Sequence, residues 1–309
     1  MSVCVFYHPS SQMHEMPKGH PERVDRIVAL EHSLRGLSGL DWRDCPAATR
    51  AQLEAGHETT YLDALEAASP TTGMVQLDAD TSMSPGSLEA ASHAVGGACA
   101  AVDLVMSGGA NRAFVAMRPP GHHAERDKPM GFCLYSTIAL AAKHAAAAHG
   151  LTRIAIIDFD VHHGNGTQDV LWDDPNVHFI SSHQMPLWPG SGAAHETGAH
   201  GQIQNIALKP HTGSLDMRRI YEREVLPVLD SYAPELVMIS AGFDAHTRDP
   251  LANLDFQTDD FAWFTDRLRE VAEQHAQGRI VSTLEGGYDL SALAESATAH
   301  IRSLQENAT

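Results

Sequence analysis

The chain has 309 residues, of which 43% are hydrophobic, and its 39 acidic and 21 basic side chains give a formal charge of −18. This composition suffices for one large core, while the negative charge argues against nucleic acid as a partner. Four scattered cysteines without CxxC spacing, and the lack of an apolar run of about 18–20 residues, predict a cytoplasmic protein with neither a disulfide framework nor a membrane span.

Apolar runs and amphipathic segments alternate along the chain. In chain order they predict strand Val3–Tyr7, helix Glu22–Leu34, helix Pro85–Ser107, strand Ala113–Met117, helix Tyr135–His149, strand Arg153–Phe159, strand Val177–Ser181, helix Ser214–Ser231, strand Leu236–Ala241, helix Thr258–Gln274, strand Arg279–Leu284 and helix Leu290–Leu304. Such alternation predicts one α/β domain, residues 1–309, with a central parallel β-sheet flanked by helices on both faces. The segment Met185–Gly201 is predicted to be a long surface loop, a kind of loop that often carries function.

Polar residues follow four of the predicted strands, at the points where these strands end. The segments are Arg118–His123, Asp158–His162, Gly242–His246 and Glu285–Tyr288. In open parallel sheets, ligands bind beyond the carboxyl ends of the strands. The four segments therefore predict one functional site at a single edge of the sheet.

Asp160, His162 and Asp244 are the leading candidates for metal ligands. Alternation along a strand puts Asp158, Asp160 and His162 on one side if the extended conformation persists. Buried carboxylates are unfavourable unless they are paired or bind a cation, and three ligands leave a catalytic zinc an open position. The other interpretation of His162 is a core histidine with satisfied hydrogen bonds, which the nearby aspartates disfavour.

Further positions carry residue types suited to hydrolysis. Neutral imidazole exchanges protons near neutral pH, so one of His122 and His123 is a candidate general base and acid; the alternative is a turn that contains two histidines. Tyr288, after two glycines, is either an oxyanion donor or a packing tyrosine. Gly131 and Phe132 form either a narrow apolar wall or ordinary core. No role is predicted for the polar-loop histidines His183, His195, His200 and His246.

The candidate metal ligands, the two tandem histidines and Tyr288 all lie within a set of five multi-residue motifs. They are Arg118-Pro-Pro-Gly-His-His123, Asp158-Phe-Asp-Val-His-His-Gly-Asn-Gly-Thr-Gln168, Pro189-Gly-Ser-Gly192, Ala241-Gly-Phe-Asp244 and Leu284-Glu-Gly-Gly-Tyr288. In this order they resemble the zinc-dependent histone deacetylase family, most closely its class II branch and the related bacterial amidohydrolases. The resemblance extends from about His20 to Tyr288. It implies an arginase/deacetylase-type α/β fold and hydrolysis of an N-acyl amide to an amine and a carboxylate.

By this resemblance, Asp160, His162 and Asp244 correspond to the zinc ligands of the family. The pair His122 and His123 corresponds to its tandem histidines, of which the second is usually regarded as the general base and acid. The implied cofactor is Zn²⁺, and the implied reaction is hydrolysis by a metal-activated water molecule.

The resemblance also assigns partners to the two histidines. Asp158 would orient His122, and Asn165 would face His123, where other branches of the family have an aspartate. An amide stabilises imidazolium less than a carboxylate does, so His123 should stay neutral more readily. Tyr288 corresponds to the tyrosine that donates a hydrogen bond to the substrate carbonyl oxygen.

A channel for the linear arm of the substrate and a monovalent cation site are implied as well. The residues assigned to substrate binding are Gly131, Phe132, Trp188, Leu251, Gly286 and Gly287. Trp188 stands where relatives usually have phenylalanine, and Leu251 stands where a polyamine-selective branch has glutamate. Asp158 and Ser181 correspond to part of a site near the zinc, for which potassium is the implied ion.

The leading hypothesis is a deacetylase that acts on acyl-lysine side chains or similar primary amines. An acetylpolyamine amidohydrolase is the main alternative; the overall acidity leaves it open, and Leu251 disfavours it. Two further alternatives are disfavoured. Fold-related dimanganese ureohydrolases need more metal-facing aspartates than the sequence offers. A non-enzymatic acyl-lysine reader would be expected to lack a metal ligand or Tyr288, and this chain has both. The expected partner is therefore an acetylated amine, with neither nucleic acid nor a membrane, and homo-oligomerisation stays open.

Overall fold

The computed structural model describes residues 3–306. Its strands are β1 (Val3–Tyr7), β2 (Leu40–Asp44), β3 (Val75–Gln76), β4 (Ser82–Met83), β5 (Arg112–Val115), β6 (Ile154–Asp158), β7 (Val177–Gln184), β8 (Ile203–Leu208), β9 (Leu236–Ala241) and β10 (Ile280–Leu284). Its helices are α1 (Val24–Arg35), α2 (Arg50–Glu54), α3 (Thr59–Ala68), α4 (Ser87–Met106), α5 (Thr137–His149), α6 (Asn165–Val170), α7 (Ser214–Ile220), α8 (Leu226–Tyr232), α9 (Thr258–His275) and α10 (Leu290–Gln305).

Eight strands form one sheet in the order β2-β1-β5-β10-β9-β6-β7-β8. Every neighbouring pair in this sheet is parallel. The short strands β3 and β4 form a separate antiparallel pair. The predicted α/β fold with a central parallel sheet is confirmed.

Both faces of the sheet are covered because alternate residues of each strand point to opposite sides. Val3 and Val5 of β1 belong to a core cluster that includes residues of α1, α9 and α10. Cys4 and Phe6 belong to a second cluster that includes residues of α4 and α5. Strands buried on both faces read as continuous apolar runs, which is why the sequence revealed the central ones.

The strand order explains how the functional segments meet. Strands β5, β10, β9 and β6 are consecutive neighbours at the centre of the sheet. Each of the four polar segments predicted to form the site follows one of these strands. Parallel neighbours place their carboxyl ends at the same edge, so the four segments emerge side by side.

The sequence missed both edge strands of the large sheet. Strand β2 consists of partly exposed and exposed residues, and β8 alternates buried with more exposed positions over part of its length. An edge strand needs fewer apolar residues than a central one, so its pattern is weaker. The predicted helix Ser214–Ser231 is three consecutive helical segments, with a π-helical turn at Tyr221–Val225 between α7 and α8.

The sequence predicted no membrane span, but helix α4 is long and apolar enough to cross a membrane. However, 61% of its most apolar stretch is buried inside the protein. Its buried residues include Ala98 and Val102, which belong to the core cluster on one face of the sheet. Core helices of globular proteins meet the same criteria, and the burial of α4 makes it a core helix.

Candidate metal centre and active site

Asp160, His162 and Asp244 converge at the carboxyl edge of the sheet. The Nδ1 atom of His162 lies 3.2 Å from Oδ1 of Asp160 and 3.1 Å from Oδ2 of Asp244. The three candidate ligand atoms lie within 4.8 Å of one another, and all three residues are buried. The structure thus brings together the three residues that the sequence suggested as metal ligands.

A tight turn, rather than a continued strand, positions the first two of these side chains. Strand β6 ends at Asp158, so the condition for strict alternation through His162 is not met. Instead, the Asp160 N–H donates to Oδ1 of Asp158 at 3.1 Å, and the His162 N–H donates to Oδ1 of Asp160 at 2.9 Å. Each carboxylate therefore holds the backbone of the residue two positions later.

The charges in this cluster fit a divalent cation. Burial and the charge of Asp160 raise the pKa of Asp244 to about 7. Burial alone would lower the pKa of His162, but hydrogen bonds and charges from Asp160 and Asp244 raise it to about 10. Without a cation the cluster holds protons to offset two adjacent carboxylates. A divalent cation offsets the same charges, and two carboxylates with one imidazole are donors that suit zinc.

Two glycines leave space for the carboxylates. A Cβ atom at Gly242 would overlap the carboxylate of Asp160, and a Cβ atom at Gly286 would overlap Asp160 and Asp244. The Gly286 N–H also donates to Oδ2 of Asp160 at 2.8 Å, and the Val161 N–H donates to Oδ1 of Asp244 at 2.9 Å. The backbone thereby fixes the orientation of both carboxylates.

The tandem histidines have different partners. Nδ1 of His122 lies 2.9 Å from Oδ2 of Asp158, and Nδ1 of His123 lies 2.8 Å from Oδ1 of Asn165. Burial would lower the pKa of His122, but the charges of Asp160 and Asp158 hold it well above its ordinary value. Burial and the charge of His122 hold the pKa of His123 well below its ordinary value. His123 is accordingly neutral, and its Nε2 is suited to accept a proton.

Two glutamates to which the sequence analysis assigned no role support this pair: Glu285, which is buried, and Glu125, which is half-buried. Glu285 accepts hydrogen bonds from the Gly121 N–H at 2.7 Å and the His122 N–H at 3.1 Å. Glu125 accepts a hydrogen bond from Nδ2 of Asn165 at 2.7 Å. Glu125 lies two positions after His123 in the chain, and that closeness was the only sequence signal for it.

A cavity of about 190 Å³ leads to the metal cluster. It is lined by Asp80, His123, Gly131, Phe132, His162, Leu187, Trp188, Leu251 and Tyr288. Gly131 and Phe132 both have positive φ, at 55° and 69°. Their N–H groups donate to Oδ1 of Asp80 at 3.1 Å and to Oγ1 of Thr81 at 3.0 Å. These bonds hold the Phe132 ring in the cavity wall despite the unfavourable backbone conformation.

Tyr288 lines the same cavity from the loop after β10. Its N–H donates to Oδ2 of Asp249 at 2.7 Å, its ring lies edge-on to Phe132 with centroids 5.9 Å apart, and the Arg26 guanidinium covers the ring at 4.8 Å. Within residues 3–306 the Tyr288 hydroxyl has no protein hydrogen-bond partner. It is therefore free to donate to a ligand in the cavity.

The other residues assigned to substrate binding divide into two groups. Trp188 is 40% exposed, lies edge-on to His123 with centroids 4.7 Å apart, and lines the cavity together with Leu251. Gly286 and Gly287 are not among the lining residues. Gly286 packs under the metal cluster, and the Gly287 carbonyl accepts a hydrogen bond from Nε of Arg26 at 2.6 Å.

Asp158 and Ser181 lie side by side, because they are register partners on β6 and β7. The Ser181 hydroxyl is 2.9 Å from Nδ1 of His183, whose Nε2 is 3.0 Å from the carbonyl oxygen of Gly192. His183 is thus a fully buried strand residue with two partners, and its interpretation as a polar-loop histidine was wrong. Strand β7 extends to Gln184, three residues beyond its predicted end, which accounts for the error.

Sequence comparison gives this arrangement a family context. The sequence model of the protein family described as histone deacetylase domain matches residues 20–304 of this chain. Histone deacetylase 14, chloroplastic, of Arabidopsis thaliana is 34% identical, over 97% of this chain and 76% of that protein. A histone deacetylase-like amidohydrolase of Pseudomonas aeruginosa is 39% identical, over 87% of this chain and 73% of that protein.

A solved structure has the same fold. The HDA15 HD domain crystal structure superposes with a TM-score of 0.92 at 32% sequence identity. The alignment covers 98% of this chain and 88% of that chain.

Proposed function

This chain belongs to the histone deacetylase family and is a deacetylase, and we propose that it uses zinc to hydrolyse the N-acetyl amide of lysine side chains or similar primary amines. One observation carries the proposal. His123, the metal-cluster residue His162 and the unpartnered hydroxyl of Tyr288 all face one narrow cavity with largely apolar walls. A linear acyl-amine arm fits such a cavity, with its amide at the inner end.

In the proposed reaction, His123 acts on the attacking water and the amine nitrogen, and Tyr288 acts on the carbonyl oxygen of the amide. A divalent cation held by Asp160, His162 and Asp244 would supply Lewis acidity to the acyl carbonyl and to a water molecule. Nε2 of His123 takes the proton of the attacking water and later returns it to the departing amine. The Tyr288 hydroxyl donates a hydrogen bond to the carbonyl oxygen as negative charge develops there.

The remaining residues orient these groups and the substrate. Asp158 accepts from Nδ1 of His122 and stabilises a positive charge on that ring, which in turn favours a neutral His123. The rings of Phe132 and Trp188 supply apolar walls for the methylene groups of the substrate arm.

An acetylpolyamine is the second candidate substrate, and Asp80 favours it. Asp80 is the one carboxylate among the described residues that line the cavity, and its charge would attract a second ammonium group of a polyamine. Leu251 lines the same cavity and adds no charge. We favour acyl-lysine because Leu251, unlike a glutamate at this position, adds no second carboxylate to the cavity.

The test is a turnover assay on an acetyl-lysine peptide, acetylputrescine and acetylspermidine, run with apo-protein and with protein reloaded with Zn²⁺. We expect activity only after reloading and a higher kcat/KM for the peptide. A higher kcat/KM for the polyamines would reverse the substrate assignment. Full activity of the chelated protein, or of Asp244→Ala, would contradict the metal assignment.

Two expectations from the sequence stay predictions, and homo-oligomerisation stays open. The predictions are the potassium ion at Asp158 and Ser181 and the cytoplasmic location. The first is measurable as a dependence of activity on K⁺ concentration at constant ionic strength.

A further inference from the structure

A second group of metal-ligand side chains lies on the outside of the protein, between α4 and α5. Asp103 belongs to α4, and His144 and His149 belong to α5. Nε2 of His144 lies 2.8 Å from Oδ1 of Asp103, and Nε2 of His149 lies 2.7 Å from the same oxygen. The three potential ligand atoms lie within 4.8 Å of one another.

This cluster is separate from the catalytic centre. Helices α4 and α5 lead into the amino ends of β5 and β6, and Asp103 and His149 lie in the last turns of their helices. The cluster is therefore directed toward the sheet edge opposite the metal centre described above. Its side chains are accessible, with 54% of Asp103, 19% of His144 and 25% of His149 exposed.

The convergence of two imidazoles distinguishes this cluster from an ordinary ion pair. A matched site exists on the same protein, where Oδ1 of Asp230 lies 2.7 Å from Nε2 of His275 and 2.8 Å from Nε2 of Gln274. There an amide nitrogen occupies the place of the second imidazole. An amide nitrogen is not a metal ligand, whereas imidazole is a preferred one for Zn²⁺, Cu²⁺ and Ni²⁺.

The hydrogen bonds of the cluster already orient its potential ligand atoms. Nε2 of His144 and Nε2 of His149 both face Oδ1 of Asp103. Imidazole binds a metal through Nε2 when its proton is on Nδ1.

We propose that Asp103, His144 and His149 form a second, peripheral site for a divalent transition-metal ion of the Zn²⁺ class. The ion has one carboxylate and two imidazole ligands from the protein, and solvent water completes its coordination because the side chains are exposed. By joining α4 to α5 it stabilises the packing of two helices on one face of the sheet. The site takes no part in hydrolysis.

The test is the zinc stoichiometry of the whole protein, measured by equilibrium dialysis of chelator-treated protein against Zn²⁺ followed by metal analysis. We expect His149→Gln and His144→Gln each to bind one equivalent fewer than the wild type. Both variants should keep wild-type kcat/KM once the catalytic ion is present. His275→Gln, the matched control, should bind as many equivalents as the wild type.

A second comparison separates the peripheral site from the catalytic one. Asp244→Ala should bind one equivalent of zinc fewer than the wild type. The double variant Asp244→Ala/His149→Gln should bind two equivalents fewer. If His144→Gln and His149→Gln bind as much zinc as the wild type, the peripheral site does not exist. An equal loss in His275→Gln would show unspecific histidine binding and would equally overturn the proposal. A wild type that binds no zinc at the catalytic centre would contradict the proposed function instead.

Discussion

Asn165 presents its side-chain oxygen, and not its amide nitrogen, to Nδ1 of His123 at 2.8 Å. Glu125 explains this orientation, since its carboxylate accepts from Nδ2 of Asn165 at 2.7 Å and so fixes the amide. His123 must then carry its proton on Nδ1, which leaves the Nε2 lone pair free. A half-buried glutamate thereby determines the tautomer of the proposed general base.

Replacing Glu125 tests this relationship. In Glu125→Ala the Asn165 amide is free to turn and offer its nitrogen to His123, which favours the wrong tautomer. We expect kcat to fall by about 10- to 100-fold, the range typical for loss of a group that orients a functional histidine. Glu125→Gln is the control, because its side-chain oxygen accepts the same hydrogen bond and should retain most of the activity. Equal activity of Glu125→Ala and the wild type would exclude the orienting role.

Asn165→Asp should shift the pH profile of kcat/KM. A carboxylate next to His123 favours the imidazolium, so the pKa of His123 rises. Because His123 must be neutral to accept a proton, the acidic limb of the profile should move to higher pH. The profile should be compared with that of Asn165→Ala, which adds no charge. An unchanged acidic limb in Asn165→Asp would show that His123 is not the group titrating there.

Tyr288→Phe removes the hydroxyl that faces the cavity and leaves the ring between Phe132 and Arg26. Loss of one oxyanion donor reduces turnover by about 10²–10³. Zinc stoichiometry should stay at the wild-type value, since Tyr288 is not one of the three proposed ligands Asp160, His162 and Asp244. Tyr232→Phe, which removes a hydroxyl bonded to the Asn176 carbonyl away from the site, should leave turnover unchanged. Turnover of Tyr288→Phe at the wild-type rate would remove Tyr288 from the mechanism.

Leu251→Glu should shift substrate preference toward acetylpolyamines. The new carboxylate would join Asp80 at the cavity and attract a second ammonium group, which a neutral acetyl-lysine peptide lacks. A partly exposed ion pair contributes up to about 1 kcal/mol, so the kcat/KM ratio of acetylspermidine to peptide should rise up to about fivefold. The measurement is this ratio at low salt, with Leu251→Gln as the uncharged control. The same ratio in both variants would show that charge at this position does not select the substrate.

Glu22→Gln should destabilise the protein strongly. Glu22 is fully buried; its carboxylate pairs with the guanidinium of Arg118, lies 3.1 Å from Nη1 of Arg26 and lies 3.3 Å from Nε2 of His14. Loss of its charge leaves two buried arginines without compensation, and we expect a decrease of about 3–5 kcal/mol in the free energy of unfolding. Denaturant unfolding measures this. Glu295→Gln, which breaks the exposed pair with Arg248, should change it by at most about 1 kcal/mol.

Glu22 should also make the stability of the protein depend on pH. Burial alone would raise the pKa of Glu22, but the charge of Arg118 holds it well below its usual value. A carboxyl group with a depressed native pKa stabilises the fold fully above its unfolded pKa, near 4.3, and loses this effect as the pH falls through the native pKa. The wild type should therefore lose more stability than Glu22→Gln between neutral pH and acid. Parallel losses in both proteins would contradict this assignment.

Sequence patterns found the centre of the site because its parts are local. Asp160 and His162 follow a buried strand within four residues, and Asp244 follows another within three. Each segment can be recognised from its own local sequence. Because parallel strands have their carboxyl ends at one edge of the sheet, the segments can then be predicted to lie together. The same reasoning could not find Glu22, which precedes its partner Arg118 by 96 residues and follows no strand.

The sequence by itself determined the apolar periodicity of the central strands, the main helices and the chemical groups at the strand ends. Only the tertiary structure decided that Glu125 orients Asn165, that Glu22 compensates Arg118 and that Asp103 meets two histidines of the next helix. These contacts join side chains from elements whose relative positions depend on how helices pack on the sheet. Packing is a collective result of the whole core, so no local pattern encodes these pairs.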